Sequence, residues 1–407
     1  MMGSLFSYIH NNFAKCLLAA TIVGLLLAFV LGENAAVLSP LGTIFTRLLS
    51  MVVPVLVFFS ISSAFANVGD ISKMKTWASK IIGWFILTVL IGIALGIAVG
   101  LIFKPGLGID MPQADYKAAE ITADMFINWL PKSFVGCIAN DITIQIVFLA
   151  IFVGIAVVVM PEGKQKTFLV NALSAGQALV LQIVNGIMLY APIGVAALMA
   201  TSIASLKESL IVQMGSFLAA YSVAFVIHVA ICYFGLLYLV GHINPFKFTR
   251  KIFPALLTAF TTTSSAGTLP VNLHCVKDAG IDDEMADFGL PLGVTFNMDS
   301  MAIEIPLYIM LGMYAIGAEP TVAQLFLFVL LGVAFSIGCA GVPGGGIAIA
   351  VILVNAFGLP TEVVAWIAAV FYYLDITGTP MNVWGDSVCT AIVASKEGRI
   401  NWEKMNS

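Results

Sequence analysis

The stretch Thr261-Thr262-Thr263-Ser264-Ser265-Ala266-Gly267-Thr268-Leu269-Pro270 decides the fold. It separates two apolar pieces, each too short to cross a bilayer, for which about 20 helical residues are needed. A second run, Gly338-Cys339-Ala340-Gly341-Val342-Pro343-Gly344-Gly345-Gly346, interrupts the apolar sequence in the same way. Backbone this rich in Gly and Pro does not stay helical. Both runs are short, uncharged and tightly flanked by apolar residues, unlike a solvated loop. Non-helical backbone at membrane depth survives only where protein or water surrounds it. The expectation is two re-entrant hairpins, one before and one after a spanning helix at about 286–315.

The rest of the chain agrees with a membrane setting. Its 407 residues are 60% hydrophobic and 10% charged, against about 25% charged in soluble domains, and its mean hydropathy is +1.03. The 18 Lys+Arg against 22 Asp+Glu leave a net charge of −4 and no basic stripe, which excludes nucleic-acid binding. Disorder is excluded by the same hydrophobicity. The six cysteines are scattered singly, mostly inside apolar runs, so free thiols are expected rather than disulfides or a zinc site.

Apolar spans are expected at Phe13–Leu31 and at about 40–66, 77–103, 134–160, 167–203 and 209–241. Lys73, Lys75 and Lys80, then Lys164 and Lys166, then Lys247, Arg250 and Lys251, and finally Lys396, Arg399 and Lys404 fall on one side of this series. By the positive-inside bias both termini are expected to be cytoplasmic; the membrane expected is an inner or plasma membrane of bacterial or archaeal type.

Between Lys277 and Lys396 there is no Lys or Arg, yet Asp299, Glu304, Asp375 and Asp386 lie there inside apolar helices. A carboxylate at a helix centre costs about 2.5–3.5 kcal/mol on insertion scales. Protonation, a distant basic partner or an imported cation would each offset it. The neighbours Thr295, Asn297, Thr377, Thr379 and Asn382 favour the cation, because they put neutral oxygens beside the charges. Asn382 and Asp386 are four apart, as are Asp375 and Thr379, so each pair shares a helix face. Gly378, Pro380 and Gly385 are expected to loosen this helix and free carbonyls for coordination. Glu304 is open between tuning the site, carrying a proton, binding a cation, and being protonated and hydrogen-bonded to a neighbouring helix. Two interrupted segments in corresponding positions of two repeats point to a transporter binding site.

The order Ser264-Ser265-Ala266-Gly267-Thr268-Leu269-Pro270, Asn297-Met298-Asp299, Ala340-Gly341-Val342-Pro343-Gly344, then Asp375 through Asn382 to Asp386 resembles the dicarboxylate/amino acid:cation symporter family. That family includes the excitatory glutamate transporters and the archaeal aspartate transporters. The resemblance implies an all-α membrane protein of eight spanning helices and two re-entrant hairpins, working by an elevator motion as a homotrimer in lipid. Residues 1–66 and 134–205 would be scaffold helices one, two, four and five. Residues 77–104 and 206–246 would be transport-domain helices three and six. Residues 251–281 and 321–358 would be the hairpins, 286–316 helix seven and 361–396 helix eight.

Carried over by position, the resemblance implies that Ser265 and Asn382 hold the substrate carboxylate, and that Asp375 and Thr379 hold its amine. Ser264, Val342 and Gly346 would add contacts from the hairpins. One Na⁺ would use the Asp386 and Asn382 side chains with the Gly293 and Asn297 carbonyls. Another would sit near Thr295, Ser336, Ile337 and Cys339, and a third near Asp299, Asn297 and Thr88. No cofactor is expected beyond Na⁺ as coupling ion, with H⁺ coupling left open.

The departures set the substrate class. Acidic-substrate members carry an Arg where this chain has Gly378, and some another where it has Thr263. The usual Asn-Met-Asp-Gly-Thr reads Asn297-Met298-Asp299-Ser300-Met301. A buried distal carboxylate without a partner costs several kcal/mol. A small neutral amino acid such as alanine, serine or threonine is the expected substrate, with Met301 as a flexible apolar wall. Acidic amino acids, dicarboxylates and cystine are the alternatives. At the third cation site Phe85 and Val89 replace a Tyr and a hydroxyl residue of the family. Catalysis is not expected: His10, His228, His242 and His274 form no metal-spaced cluster and no G-x-S-x-G elbow occurs. A cation channel, selecting with a carboxylate ring, is the remaining alternative, but buried acids beside two broken segments suit an occluded site better.

Overall fold

The computed structural model describes residues 13–68, 75–109, 127, 130–140, 143–338 and 345–406, and the ordered elements are helical. The first is α1 (Phe13–Leu31), followed by a 3₁₀ segment (Gly32–Leu38) and α2 (Ser39–Val68). Then come α3 (Lys75–Phe103), the short α4 (Phe134–Ala139), α5 (Thr143–Val159) and α6 (Lys164–Met188). Helix α7 (Ala191–His228) continues through a π-helical stretch (Val229–Leu236) into a last turn at Leu237–Leu239.

The expected break between spans five and six near residue 205 is not where the chain turns. The turn falls at Leu189–Tyr190, and the backbone is helical from Ala191 through Lys207 and Glu208. Pro192 accounts for the position. A proline in the first helical turn loses no needed N–H and stops the preceding helix from running on.

Among the described residues, Ser79–Phe103, Lys164–Val184 and Val212–Leu239 are each long and apolar enough to span a bilayer. The outer faces are those of a membrane protein. On α1, Phe29 is 73% and Val30 80% exposed, and on α6 Phe168 is 69% exposed. Contiguous apolar exposure of this kind has no place in water.

The first interrupted run forms a helical hairpin. Helix α8 (Pro245–Thr262) and α9 (Ser265–Asp278) pack together. Thr263 turns the chain with φ +50°, and Ser264 caps α9 by accepting from the Gly267 N–H at 3.0 Å. The expected single helix at 286–315 is two helices, α10 (Asp283–Phe296) and α11 (Asp299–Ala315), parted at Asn297 and Met298. Met298 has φ −116° and ψ 73°, outside the helical region. One hydroxyl serves both backbone groups of Met298: Ser336 Oγ accepts from the Met298 N–H at 3.1 Å and donates to the Met298 carbonyl at 3.3 Å. A buried break needs such partners.

The second interrupted run lies between α12 (Val322–Gly338) and α13 (Gly345–Ala356), both of which pack on α11. Helix α14 (Glu362–Lys396) follows and packs on α10, α11 and α13, and α15 (Trp402–Asn406) ends the fold. Helix α14 does not open at Gly378 and Pro380 as expected. It bends by 66° between Glu362–Phe371 and Tyr373–Lys396, and stays helical past the proline. The glycines there serve close packing instead, as the site geometry shows.

Charged groups gather at the helix ends. Lys80 pairs with Glu397, and Arg399 lies 3.3 Å from Asp282, beside the bridge that joins Ile281 to Ile400. At the other end of α3, the hydrogen bond from Lys104 to Glu319 (2.6 Å) holds the ammonium pKa above the usual lysine range.

Candidate functional site

The α10–α11 break places Asn297 at the meeting of three helices. Its Nδ2 donates to Asp386 Oδ1 at 3.0 Å, and its Oδ1 accepts from Thr88 Oγ1 at 3.3 Å. Asp386 comes from α14, packed so closely on α10 that a Cβ at Gly293 would lie 2.5 Å from its carboxylate. Only glycine allows that approach. Asp299, the first residue of α11, is fully buried. Its Oδ2 accepts from the Tyr233 hydroxyl at 2.6 Å, while that hydroxyl also approaches the Met381 carbonyl at 2.8 Å. Asp299 Oδ1 has no hydrogen-bond donor among the described residues, and His228 Nε2 stands 3.9 Å away. Gly385 is required here too, because a Cβ would fall 2.4 Å from Asp299 Oδ2 and 2.7 Å from Asn297 Nδ2.

Thr88, Gly293, Asn297, Asp299 and Asp386 are thus brought together as one buried oxygen-rich cluster. Asn382 sits at its edge: its Oδ1 accepts from the Ser300 N–H at 2.9 Å, and its Nδ2 donates to Met298 Sδ at 3.2 Å. Ser336 joins through its side chain, whose hydroxyl contacts both backbone groups of Met298. Thr295 lies in the last turn of α10, and Ile337 is buried at the end of α12. Cys339 and Val342 lie outside the described residues.

On the substrate side, Asp375 and Thr379 follow each other by one turn of α14, half-buried and buried. Ser264 and Ser265 stand at the tip of the α8–α9 hairpin, with Ser265 buried. Hairpin and α14 are tied lower down by Ser387 Oγ donating to Asn272 Oδ1 at 2.9 Å. Met301 lies against Gly346, where a Cβ would meet its Cε at 3.1 Å and the Phe371 ring at 2.6 Å.

A second buried cluster surrounds Glu304, which is 3% exposed. Ser300 Oγ donates to Oε1 at 2.5 Å and the Tyr308 hydroxyl to Oε2 at 2.6 Å. The Tyr221 hydroxyl is 2.9 Å from Ser300 Oγ. A Cβ at Gly378 would lie 2.3 Å from Ser300 Oγ and 3.4 Å from Glu304 Oε1. Both hydrogen-bond partners of Glu304, Ser300 and Tyr308, lie on its own helix α11, whereas one of the alternatives expected a partner on a neighbouring helix.

Three residues were not singled out from the sequence, Tyr221, Tyr233 and Tyr308, and His228 was considered only as a metal ligand. Tyr308 follows Glu304 by four, a helical spacing that could have shown it. Tyr233 arrives from the π-helical stretch and carried no such signal. It puts a phenol hydroxyl on Asp299 while Phe85, buried on α3, has none to offer.

Buried acids, broken helices and apolar outer faces define a class: a multi-pass membrane protein with an internal, oxygen-lined polar site. The profile of the sodium:dicarboxylate symporter family matches residues 13–396. The chain belongs to that family, so it is a cation-coupled symporter and not an enzyme. It is 27% identical over 401 residues to the proton/sodium-glutamate symport protein of Geobacillus stearothermophilus, covering 94% of each chain. It is 28% identical over 403 residues to the proton/glutamate-aspartate symporter of Bacillus subtilis, covering 95% of this chain and 94% of that protein. Over 423 residues it is 30% identical to the L-cystine uptake protein TcyP of Bacillus thuringiensis, covering 95% of this chain and 90% of that one.

Proposed function

We propose that this protein couples Na⁺ entry to uptake of a small neutral amino acid of the alanine, serine or threonine type. The observation that carries the substrate class is Gly378. Its turn of α14 faces Ser300 Oγ and the acid Glu304, with no base in ionic contact among the described residues. A side-chain carboxylate brought there would meet like charge and no cation. Asp375 and Thr379 supply the partner for an α-amino group, which a plain dicarboxylate lacks.

The coupling ion is Na⁺ in this proposal. One site would use the Asp386 and Asn382 side chains with the Gly293 and Asn297 carbonyls, a set of hard oxygen ligands supported by the close packing of Asp386 on Gly293 and its contact with Asn297. A second uses the ends of α10 and α12 near Thr295, Ser336, Ile337 and Cys339. At the third, Tyr233 and His228 stand beside Asp299, so two Na⁺ are the working stoichiometry. Two charges moved through 100 mV supply about 4.6 kcal/mol, from about 2.3 kcal/mol each, enough to concentrate a zwitterion.

The architecture proposed with it has eight spanning helices and two re-entrant hairpins, with both termini cytoplasmic. A trimeric scaffold (residues 1–66 and 134–188) would hold a transport domain that moves as an elevator (77–104, both hairpins, and helices seven and eight), with the continuous helix α7 (Ala191–His228) crossing the boundary expected at 205/206. Helices α10 and α11 together make helix seven. The half-exposed apolar faces of α1, α2 and α6 suit contact with lipid and with neighbouring copies.

The likeness to the cystine uptake protein favours one second reading, cystine as substrate. The test is uptake into proteoliposomes from a panel of alanine, serine, threonine, cystine, aspartate and succinate, with and without a Na⁺ gradient. Na⁺-driven accumulation of the neutral monomers supports the proposal. Accumulation of aspartate or succinate overturns the substrate class. Cystine alone establishes the second reading, and dissipative flux indifferent to Na⁺ establishes a channel.

A further inference from the structure

We propose that Ser300 and Glu304 form the recognition subsite for the substrate's side chain, and that the preferred substrate is a short α-amino acid whose side chain carries a hydrogen-bond donor, a hydroxyl or an ammonium. The proposal rests on the amino-acid symport reading above and narrows its substrate. The first observation is placement. The absent Cβ at Gly378 leaves Ser300 Oγ and Glu304 Oε1 against α14 at that turn, since any Cβ would lie 2.3 Å from the first and 3.4 Å from the second. Gly378 sits between Asp375 and Thr379 in sequence, and Ser300 is bonded through its N–H to Asn382, one turn further on. The two oxygens therefore lie within a helical turn of the groups assigned to the amino acid's head.

The second observation is polarity. Ser300 donates its hydroxyl proton to Glu304 Oε1 (2.5 Å), so the Tyr221 hydroxyl, 2.9 Å away, donates to Ser300 in turn. Tyr308 donates to Oε2 at 2.6 Å. An ionised carboxylate has about four lone-pair sites, and these two hydroxyls use half of them. With Glu304 ionised, what the cluster still offers is acceptor capacity, since the Ser300, Tyr308 and Tyr221 hydroxyl protons are already donated within it. No ion pair reaches Glu304 among the described residues. A buried acid without a base is costly, and a donor arriving with the substrate relieves that cost while an acidic side chain adds to it.

The test is thermal shift of the full-length purified protein in saturating Na⁺, titrated with alanine, 2-aminobutyrate, serine, 2,3-diaminopropionate and aspartate. Ligands that bind the native state raise its melting temperature, which yields apparent affinities. Serine or 2,3-diaminopropionate should bind at least about tenfold tighter than 2-aminobutyrate, as expected for one hydrogen bond to a charged acceptor. In Glu304→Gln the preference for 2,3-diaminopropionate over 2-aminobutyrate should fall by about tenfold, read as a ratio within the variant. If 2-aminobutyrate binds the wild-type protein as well as both donor-bearing compounds, the subsite is refuted and the symport reading stands. An unchanged ratio in Glu304→Gln refutes it as well. If no amino acid raises the melting temperature in Na⁺, the symport reading falls and the subsite falls with it.

Discussion

Asp386 and Glu304 are both buried acids facing the α11–α14 contact, and neither has a Lys or Arg in reach among the described residues. Their surroundings differ. Asp386 meets one amide donor, the Asn297 side chain, beside the α10–α11 break and packed against Gly293. Glu304 lies in continuous helix, and two hydroxyls donate to its two oxygens. The first arrangement is short of positive charge and suits an imported cation. The second is short only of a further donor. A buried carboxylate is thus defined less by its own burial than by what stands around it.

The largest effect should come from removing the charge on the first side. Asp386→Asn takes away the anionic ligand while keeping its size, and breaking such a buried charge contact costs about 3–5 kcal/mol. Na⁺ affinity should fall roughly a hundredfold or more, measured as the Na⁺ concentration for half-maximal uptake. Unchanged Na⁺ dependence would mean that Asp386 is no cation ligand and that the two acids are alike after all.

Tyr233→Phe sharpens the contrast from the side of Asp299. It removes a hydroxyl hydrogen-bonded to a carboxylate, worth about 1.5–3 kcal/mol. The expected outcome is a lower melting temperature with the Hill coefficient for Na⁺ still near two. A rise toward three would show that Tyr233 blocks a third site.

Gly378→Ala probes the second side. Its Cβ would stand 2.3 Å from Ser300 Oγ, and overpacking of this kind costs about 1–3 kcal/mol. Uptake should weaken with Na⁺ affinity little changed, because the cation cluster lies a turn or two away. Equal loss of both would join the two clusters into one.

The smallest effect expected is that of Ser387→Ala. It loses the 2.9 Å bond to Asn272 outside both clusters, about 0.5–1.5 kcal/mol of stability, visible in denaturant or thermal melts and not in Na⁺ dependence.

The two clusters were unequally legible. The turn at Thr263 and Ser264 was legible in the run of hydroxyl residues, although the helix resumes at Ser265 and runs on through Gly267 and Pro270. So were the carboxylates, which stand out wherever charge is scarce. The break at Asn297 and Met298 was not, because it contains no Gly or Pro. It is held by Ser336, 38 residues on from Met298, and by Asp386, 89 residues on from Asn297. Helix α14 shows the converse. Gly378, Pro380 and Gly385 looked like a loosened helix, yet Gly378 and Gly385 let α11 approach closely and the helix stays intact. Tyr233 reaches Asp299 across 66 residues, a contact that no spacing rule contains.

The central claim is that imported Na⁺ supplies the positive charge missing around Asp386 and thereby drives a neutral amino acid inward. The most direct measurement is uptake of labelled serine into proteoliposomes holding the full-length protein, with Na⁺ outside and K⁺ inside. The expected result is accumulation above the outside concentration that collapses when Na⁺ is replaced by K⁺. Equal uptake in both solutions, or none beyond equilibration with Na⁺ present, would contradict the account.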